Sequence, residues 1–129
     1  MAICSDGMGG RDLWKVEKGG NEWGAPVNLT SLNTEYDEGY PFVSHDAKEL
    51  WFTGDSRIDV NPPMGQPDYF GAIFRSTREG DSWSAPVEVV SQLAGEPTVD
   101  PEGNVYFTHH YYVNDQMIEA DIYVVRRKQ

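Results

Sequence analysis

Apolar and polar positions alternate in short bursts along this chain, with a period near two. From Asp12 to Glu17 the pattern brings in Leu, Trp and Val at strand spacing. The segments Glu49 to Thr53, Ile73 to Ser76, Val87 to Val90, Val105 to Thr108 and Ile122 to Val125 are short and rich in β-branched and aromatic residues. Residues of this kind fit a pleated, half-buried surface, so each segment predicts a strand. Turn chemistry separates them: Lys18-Gly-Gly20, Ser44-His-Asp-Ala47, Glu79-Gly-Asp81 and Asp100-Pro-Glu-Gly103. No segment sustains a 3.6-residue period. Gly95-Glu-Pro97 and Asn61-Pro-Pro63 would break any helix there. The pattern predicts an all-β chain.

The strands recur in a constant order. Trp14 and the Trp23-Gly-Ala-Pro-Val27 core return as Phe74 and the Trp83-Ser-Ala-Pro-Val87 core. Tyr40-Pro-Phe-Val-Ser-His-Asp-Ala-Lys-Glu-Leu-Trp-Phe-Thr53 matches Glu96-Pro-Thr-Val-Asp-Pro-Glu-Gly-Asn-Val-Tyr-Phe-Thr108. A third element occurs as Asp12-Leu-Trp14, Ala72-Ile-Phe74 and Asp121-Ile-Tyr123. A period of roughly 50–60 residues is the scale of a repeat architecture. With A for the strand after the Tyr/Glu-Pro element, B for the Trp-Phe or Tyr-Phe strand, C for Asp-Ile-Tyr and D for Ala-Pro-Val, the chain reads B-C-D, A-B-C-D, A-B-C. That is about ten strands: B-C-D in residues 1–30, a complete unit in 31–91, and A-B-C in 92–129. Four antiparallel strands per radially repeated unit is the pattern of a β-propeller blade, and two and a half blades form an incomplete ring. Trp14, Trp23, Trp51, Phe74, Trp83, Tyr106 and Tyr123 are the structural repeat positions. Blade sheets are covered on both faces, which suits large aromatic side chains. Pro26 and Pro86 precede strand D, the outer edge, where a missing N–H is tolerated.

These repeats resemble the WD-repeat-like propeller blades of TolB-type proteins over nearly the whole chain. The residues that carry the resemblance are Asp12-Leu-Trp14, Trp23-Gly-Ala-Pro-Val-Asn-Leu29, Asp37-Glu38 before Tyr40-Pro41, Asp46 with Leu50-Trp-Phe52, and Asp121-Ile-Tyr123. The family's usual Ser-Pro-Asp-Gly turn has lost its Pro and Gly in the first copy, at Ser44 to Ala47, and the loop from Gly54 to Tyr69 is longer than its counterpart. The resemblance implies a propeller fold and, where it holds, a periplasmic or extracellular setting; its members bind proteins, gate proteases or scaffold. Arg78-Glu-Gly-Asp-Ser-Trp83 and its echo Lys18-Gly-Gly-Asn-Glu-Trp23 also resemble sialidase Asp-boxes, in which an acidic turn leads into a buried Trp. That box is a structural turn and implies no sialidase chemistry.

Charge narrows the partners. Twenty-one Asp and Glu against ten Lys and Arg give a net charge of -11. Nucleic acid is disfavoured, since the basic cluster is confined to Arg126-Arg127-Lys128. No apolar run approaches the roughly 20 residues of a membrane-spanning helix. The single cysteine, Cys4, excludes an intramolecular disulfide and predicts a small buried apolar residue. Met1 is followed by no basic segment or apolar stretch of the signal-peptide kind.

In a propeller the D–A and B–C connections emerge on one face, where ligands bind. Here that face predicts an acidic rim drawn from residues such as Glu35, Asp37, Asp59, Asp68 and Asp115. The ligand-face candidates are Glu38, Asp55, Arg57, Glu96, His109, His110 and Glu119. His109 and His110 are adjacent on a strand and so face opposite sides; one of them could join Glu119 or Asp55 around a divalent cation. His45 reads as a turn residue on the other face. Asp6-Gly-Met-Gly-Gly10 is Gly-rich but lacks the Lys-Ser/Thr ending of a phosphate loop, and Gly-x-Ser-x-Gly is absent. No catalytic constellation and no cofactor motif emerges.

The chemistry therefore predicts a non-enzymatic module for protein binding or scaffolding. It would complete a ring by self-association as a homo-oligomer, or sit within a larger propeller that supplies the missing blades. The alternatives are a fragment of a propeller-type carbohydrate-active enzyme using carboxylates from Asp55, Glu96 and Asp100, and an acidic cation-binding module.

Overall fold

A computed structural model of the chain describes residues 2–5, 10–56, 71–91, 93–114 and 116–129. Among these there is no helix, and thirteen strands form. In chain order they are β1 (Ala2–Ser5), β2 (Arg11–Lys15), β3 (Lys18–Gly19), β4 (Glu22–Trp23), β5 (Val27–Asn28), β6 (Glu38–Val43), β7 (Glu49–Asp55), β8 (Gly71–Glu79), β9 (Ser82–Trp83), β10 (Val87–Val90), β11 (Ala94–Val99), β12 (Val105–Val113) and β13 (Gln116–Val125). All pairings are antiparallel. Sheet I runs β1-β2-β5, sheet II runs β10-β8-β7-β6, and sheet III runs β11-β12-β13; none closes on itself.

Three strands were not expected from the pattern. The Lys18–Gly19 and Glu22–Trp23 pair forms a separate ribbon, and Ser82–Trp83 folds back on the end of β8. Gly20 and Gly80 supply the positive φ these tight turns need. The last hairpin is longer than expected. β12 continues to Val113 and β13 begins at Gln116, so 109–119 is mostly sheet ladder and not a connection. His109, His110 and Glu119 therefore lie on strands. The alternation of aromatic and β-branched residues simply runs on through Tyr111 to Val113.

Registers repeat between sheets. Phe52 opposes Phe74 in sheet II, Phe107 opposes Tyr123 in sheet III, and Ala2 opposes Trp14 in sheet I. The first two pairs stack, with ring centroids 5.5 and 6.1 Å apart. One residue on, Thr53 opposes Ile73, Thr108 opposes Ile122 and Ile3 opposes Leu13.

The period of two then sorts the core. Leu50, Phe52, Ala72 and Phe74 of sheet II pack with Leu13, Leu29 and Leu32 of the sheet I region. Trp51 and Ile73 point the other way, toward Ala94, Val105 and Phe107 of sheet III. Sheet II is thus covered on both faces. Sheets I and III each have one face against it. Trp83 packs on the first of these cores. Trp23, its repeat counterpart, is 68% exposed, which corrects the expectation of a buried Trp at both turns. Among the described residues no sheet packs on it, and Lys18 lies over its ring.

Strands β6 and β11 lie at the edges of their sheets and accommodate Pro41 and Pro97 at bulges. The residue before each proline takes a left-handed conformation: Tyr40 at φ 50° and Glu96 at φ 52°. The two copies share this strained backbone at the same repeat position.

Candidate functional site

These two bulges flank a cleft of about 180 Å³ where the three sheets meet. Its chemistry comes from Arg11, Asp37, Tyr40, Asp55, Glu96 and His110. Thr53 anchors the second bulge, accepting the Glu96 backbone N–H at 2.9 Å on its hydroxyl. Gly71 sits so close to sheet III that an added Cβ would meet the Ala94 carbonyl oxygen at 2.9 Å. Asp37 is held from two sides. The Arg11 backbone N–H donates to it at 2.7 Å, and the Arg11 Nε lies 3.5 Å from its other oxygen. The Arg11 guanidinium also sits 5.9 Å from the centre of the Tyr40 ring.

The carboxylates here are unequal. Partial burial pushes the Asp55 carboxyl above its ordinary range, and the charge of Asp37 adds to that; an Asp37 backbone N–H and the Arg11 charge oppose it. Across the cleft, His110 Nε2 lies 3.2 Å from Glu96 Oε2, at ion-pair distance but misaligned for a hydrogen bond. Arg11 has Asp37 beside it, and the His110 imidazole has Glu96. Such a cleft can hold a polar or cationic group against Asp55. Among the described residues, no three of His, Cys, Asp and Glu gather as a metal would require. The cation site joining a histidine to Asp55 or Glu119 therefore has no support in this geometry.

The expected site residues fall into separate places. Asp55, Glu96 and His110 line the cleft. Glu38 is buried and closes its own loop, accepting from the Thr34 hydroxyl and from the Thr34 backbone N–H at 3.0 Å. His109 faces the other side of β12, tilted against Tyr123 at 5.4 Å. Glu119 opposes Tyr111 far along the hairpin and is exposed. Arg57 lies outside the described residues, as do Asp59, Asp68, Asp115, the Asp6 to Gly9 stretch and the Asn61-Pro-Pro63 segment. Asp100 sits at the opposite end of the sheets, where it accepts from the Asn104 backbone and side chain, each at 2.8 Å. Glu96 and Asp100 line different clefts and form no hydrolytic pair across one pocket.

Two contributors went unmarked in the sequence. Arg11 reads there only as the last residue of the connection before the Asp12 to Glu17 strand. Asn33 reads as a loop residue, yet its side chain behaves as a strand neighbour of Leu13. It accepts the Leu13 N–H at 2.8 Å and donates to the Leu13 carbonyl at 2.9 Å and to Asn28 Oδ1 at 2.9 Å. Asn28 in turn donates to the buried Asp12 at 3.0 Å. This chain of amides locks the 29–33 turn to β2 and so places the Asp37 loop over the cleft.

Among the described residues, no helix is long and apolar enough to cross a membrane. Comparison with protein-family models, curated proteins and solved structures finds no match.

Proposed function

We propose that the chain is a propeller-type repeat module that binds or scaffolds proteins through its sheet faces and not through catalysis in the cleft. One observation carries this reading: Leu13, Ile73 and Ile122 occupy the same register position in sheets I, II and III. Leu13 packs toward sheet II and Ile73 toward sheet III. Each sheet thus offers its neighbour an equivalent face, which is what stacked blades do. The cleft agrees with this reading in that its Arg11 is already engaged by Asp37, and Asp100 lines a different cleft from Glu96.

A graft tests the repeat unit itself. In sheets I and II an Ala-Pro-Val strand lies along the outer edge of the central strand: Val27 opposes Lys15 and Val87 opposes Arg75. Fusing a second copy of residues 79–91 after Gln129 should lay the same strand along β13, with its first Val opposite Val124. Amide exchange over Ile122 to Val124 should then slow by at least tenfold. Unchanged exchange there would overturn the blade reading. Glycoside hydrolysis by the chain that disappears in Glu96→Gln would overturn the non-catalytic one.

A further inference from the structure

Both ends of the sheet stack are open, and Ile122, Tyr106 and Trp23 have more deeply covered counterparts inside the chain. On sheet III, Ile122 is 80% exposed, with Tyr106 and Val124 exposed beside it. Their sheet II counterparts Ile73 and Trp51 are buried beneath sheet III. In the ribbon that follows β2 of sheet I, Trp23 is exposed, whereas its counterpart Trp83 packs on the core between sheets I and II. Among the described residues, no sheet packs on the outer face of sheet III or of sheet I. An apolar face of this kind on a soluble fold marks an interface.

We propose that the two ends cover each other between two copies of the chain, sheet III of one stacking head to tail on sheet I of the next. This rests on the repeat-module reading above and names its partner. The interior of the molecule indicates the occupant. Ile73 is covered by a sheet with the Phe107–Tyr123 register, and Leu13 by a sheet with the Phe52–Phe74 register. Sheet I carries that register at Ala2–Trp14, and Trp23 in the ribbon after β2 is 68% exposed with the Lys18 ammonium over its ring. A second copy therefore continues an interface the chain already makes twice. Head-to-tail contacts that close after two copies join six sheets, within the roughly four to eight blades of known rings.

Cross-link mapping tests it on the full chain. A Cys4→Ser chain carrying Lys18→Cys and Ile122→Cys contains two thiols, both at exposed positions. A short bismaleimide reagent should join position 18 of one chain to position 122 of the other, shown as interchain by mixing isotopically labelled and unlabelled protein. Links that join two 122 positions would mean an edge-to-edge or face-to-face pair and would overturn the proposal. So would the absence of any interchain link.

Two exposed-site variants give a second readout that does not depend on refolding the core. Ile122→Asp and Trp23→Ser should each weaken self-association at least tenfold, with unchanged far-ultraviolet circular dichroism. Mixed in equal amounts they should associate better than either alone, because one intact face survives on each. No gain on mixing would contradict a head-to-tail interface. A chain that stays monomeric while the grafted strand still protects Ile122 to Val124 removes the second copy but leaves the repeat module standing; loss of that protection removes the module itself.

Discussion

Ile73 and Ile122 hold the same position in successive sheets, opposite Thr53 and Thr108, yet Ile73 is fully buried and Ile122 is 80% exposed. The strands themselves are equivalent; the difference is that sheet III lies over Ile73 and, among the described residues, no sheet lies over Ile122. Ile73→Ala should therefore destabilise the fold by about 2–4 kcal/mol, the cost of a truncated core aliphatic. Ile122→Ala, measured by urea denaturation at dilution where copies are separate, should change stability by no more than about 0.5 kcal/mol. Equal losses at both positions would mean that Ile122 is covered within one chain.

Asn33 should behave as part of the sheet. Asn33→Ala leaves the Leu13 N–H without its acceptor inside the core, while the Leu13 carbonyl keeps the Leu29 N–H at 3.0 Å. We expect a loss of about 2–3 kcal/mol, together with faster exchange of the Leu13 amide. Retained protection at Leu13 would show that the turn is held some other way.

The paired turns make opposite predictions. Ala47 sits at φ 57° where the other copy has Gly103 at φ 88°. A side chain in the left-handed region costs about 1–2 kcal/mol, partly offset in glycine by its freer unfolded chain. Ala47→Gly should stabilise by about 0.5–1 kcal/mol. Gly103→Ala should destabilise by about 1 kcal/mol, with Arg127 displaced, since its Cδ lies 2.8 Å from the new Cβ. Thermal unfolding of the two variants checks both signs.

Acid should weaken two of the turns. The Ser44 hydroxyl, then the Lys48 N–H, hold Asp46 below its ordinary value, and the Asn104 side chain does the same for Asp100. A carboxyl lowered in the folded state stabilises the fold above its unfolded pKa of about 3.9. That contribution is lost as pH falls through the folded value. Asp100→Asn should therefore narrow the gap between stability at pH 7 and at pH 3. Asp55 runs the other way, because its folded value is raised. Its charge penalises the fold at neutral pH, and the penalty disappears below about pH 4. Asp55→Asn should raise the urea midpoint at pH 7 and leave it unchanged at pH 3.

Much of the sheet order was legible because alternation and turn residues are local. Leu50-Trp51-Phe52 announces a strand buried on both faces, and the stacked Phe52–Phe74 pair comes from its register. The illegible part depends on neighbours. Trp23 and Trp83 have nearly the same sequence around them, but only Trp83 has a preceding sheet to rest on. His109 to Glu119 has turn-like polar residues, yet Tyr111 to Val113 extends the ladder through them. In the cleft, Asp55, Glu96 and His110 were recognisable as chemistry. Arg11 and Asn33 were not, because their roles come from loops that meet β2 only after folding.

The most direct single test is the mass of the chain in solution, by light scattering across a dilution series. Head-to-tail stacking of equivalent sheets predicts a discrete species of about 29 kDa, twice the 14.5 kDa of one chain, that falls apart on Ile122→Asp substitution. A mass of 14.5 kDa at every concentration would contradict it.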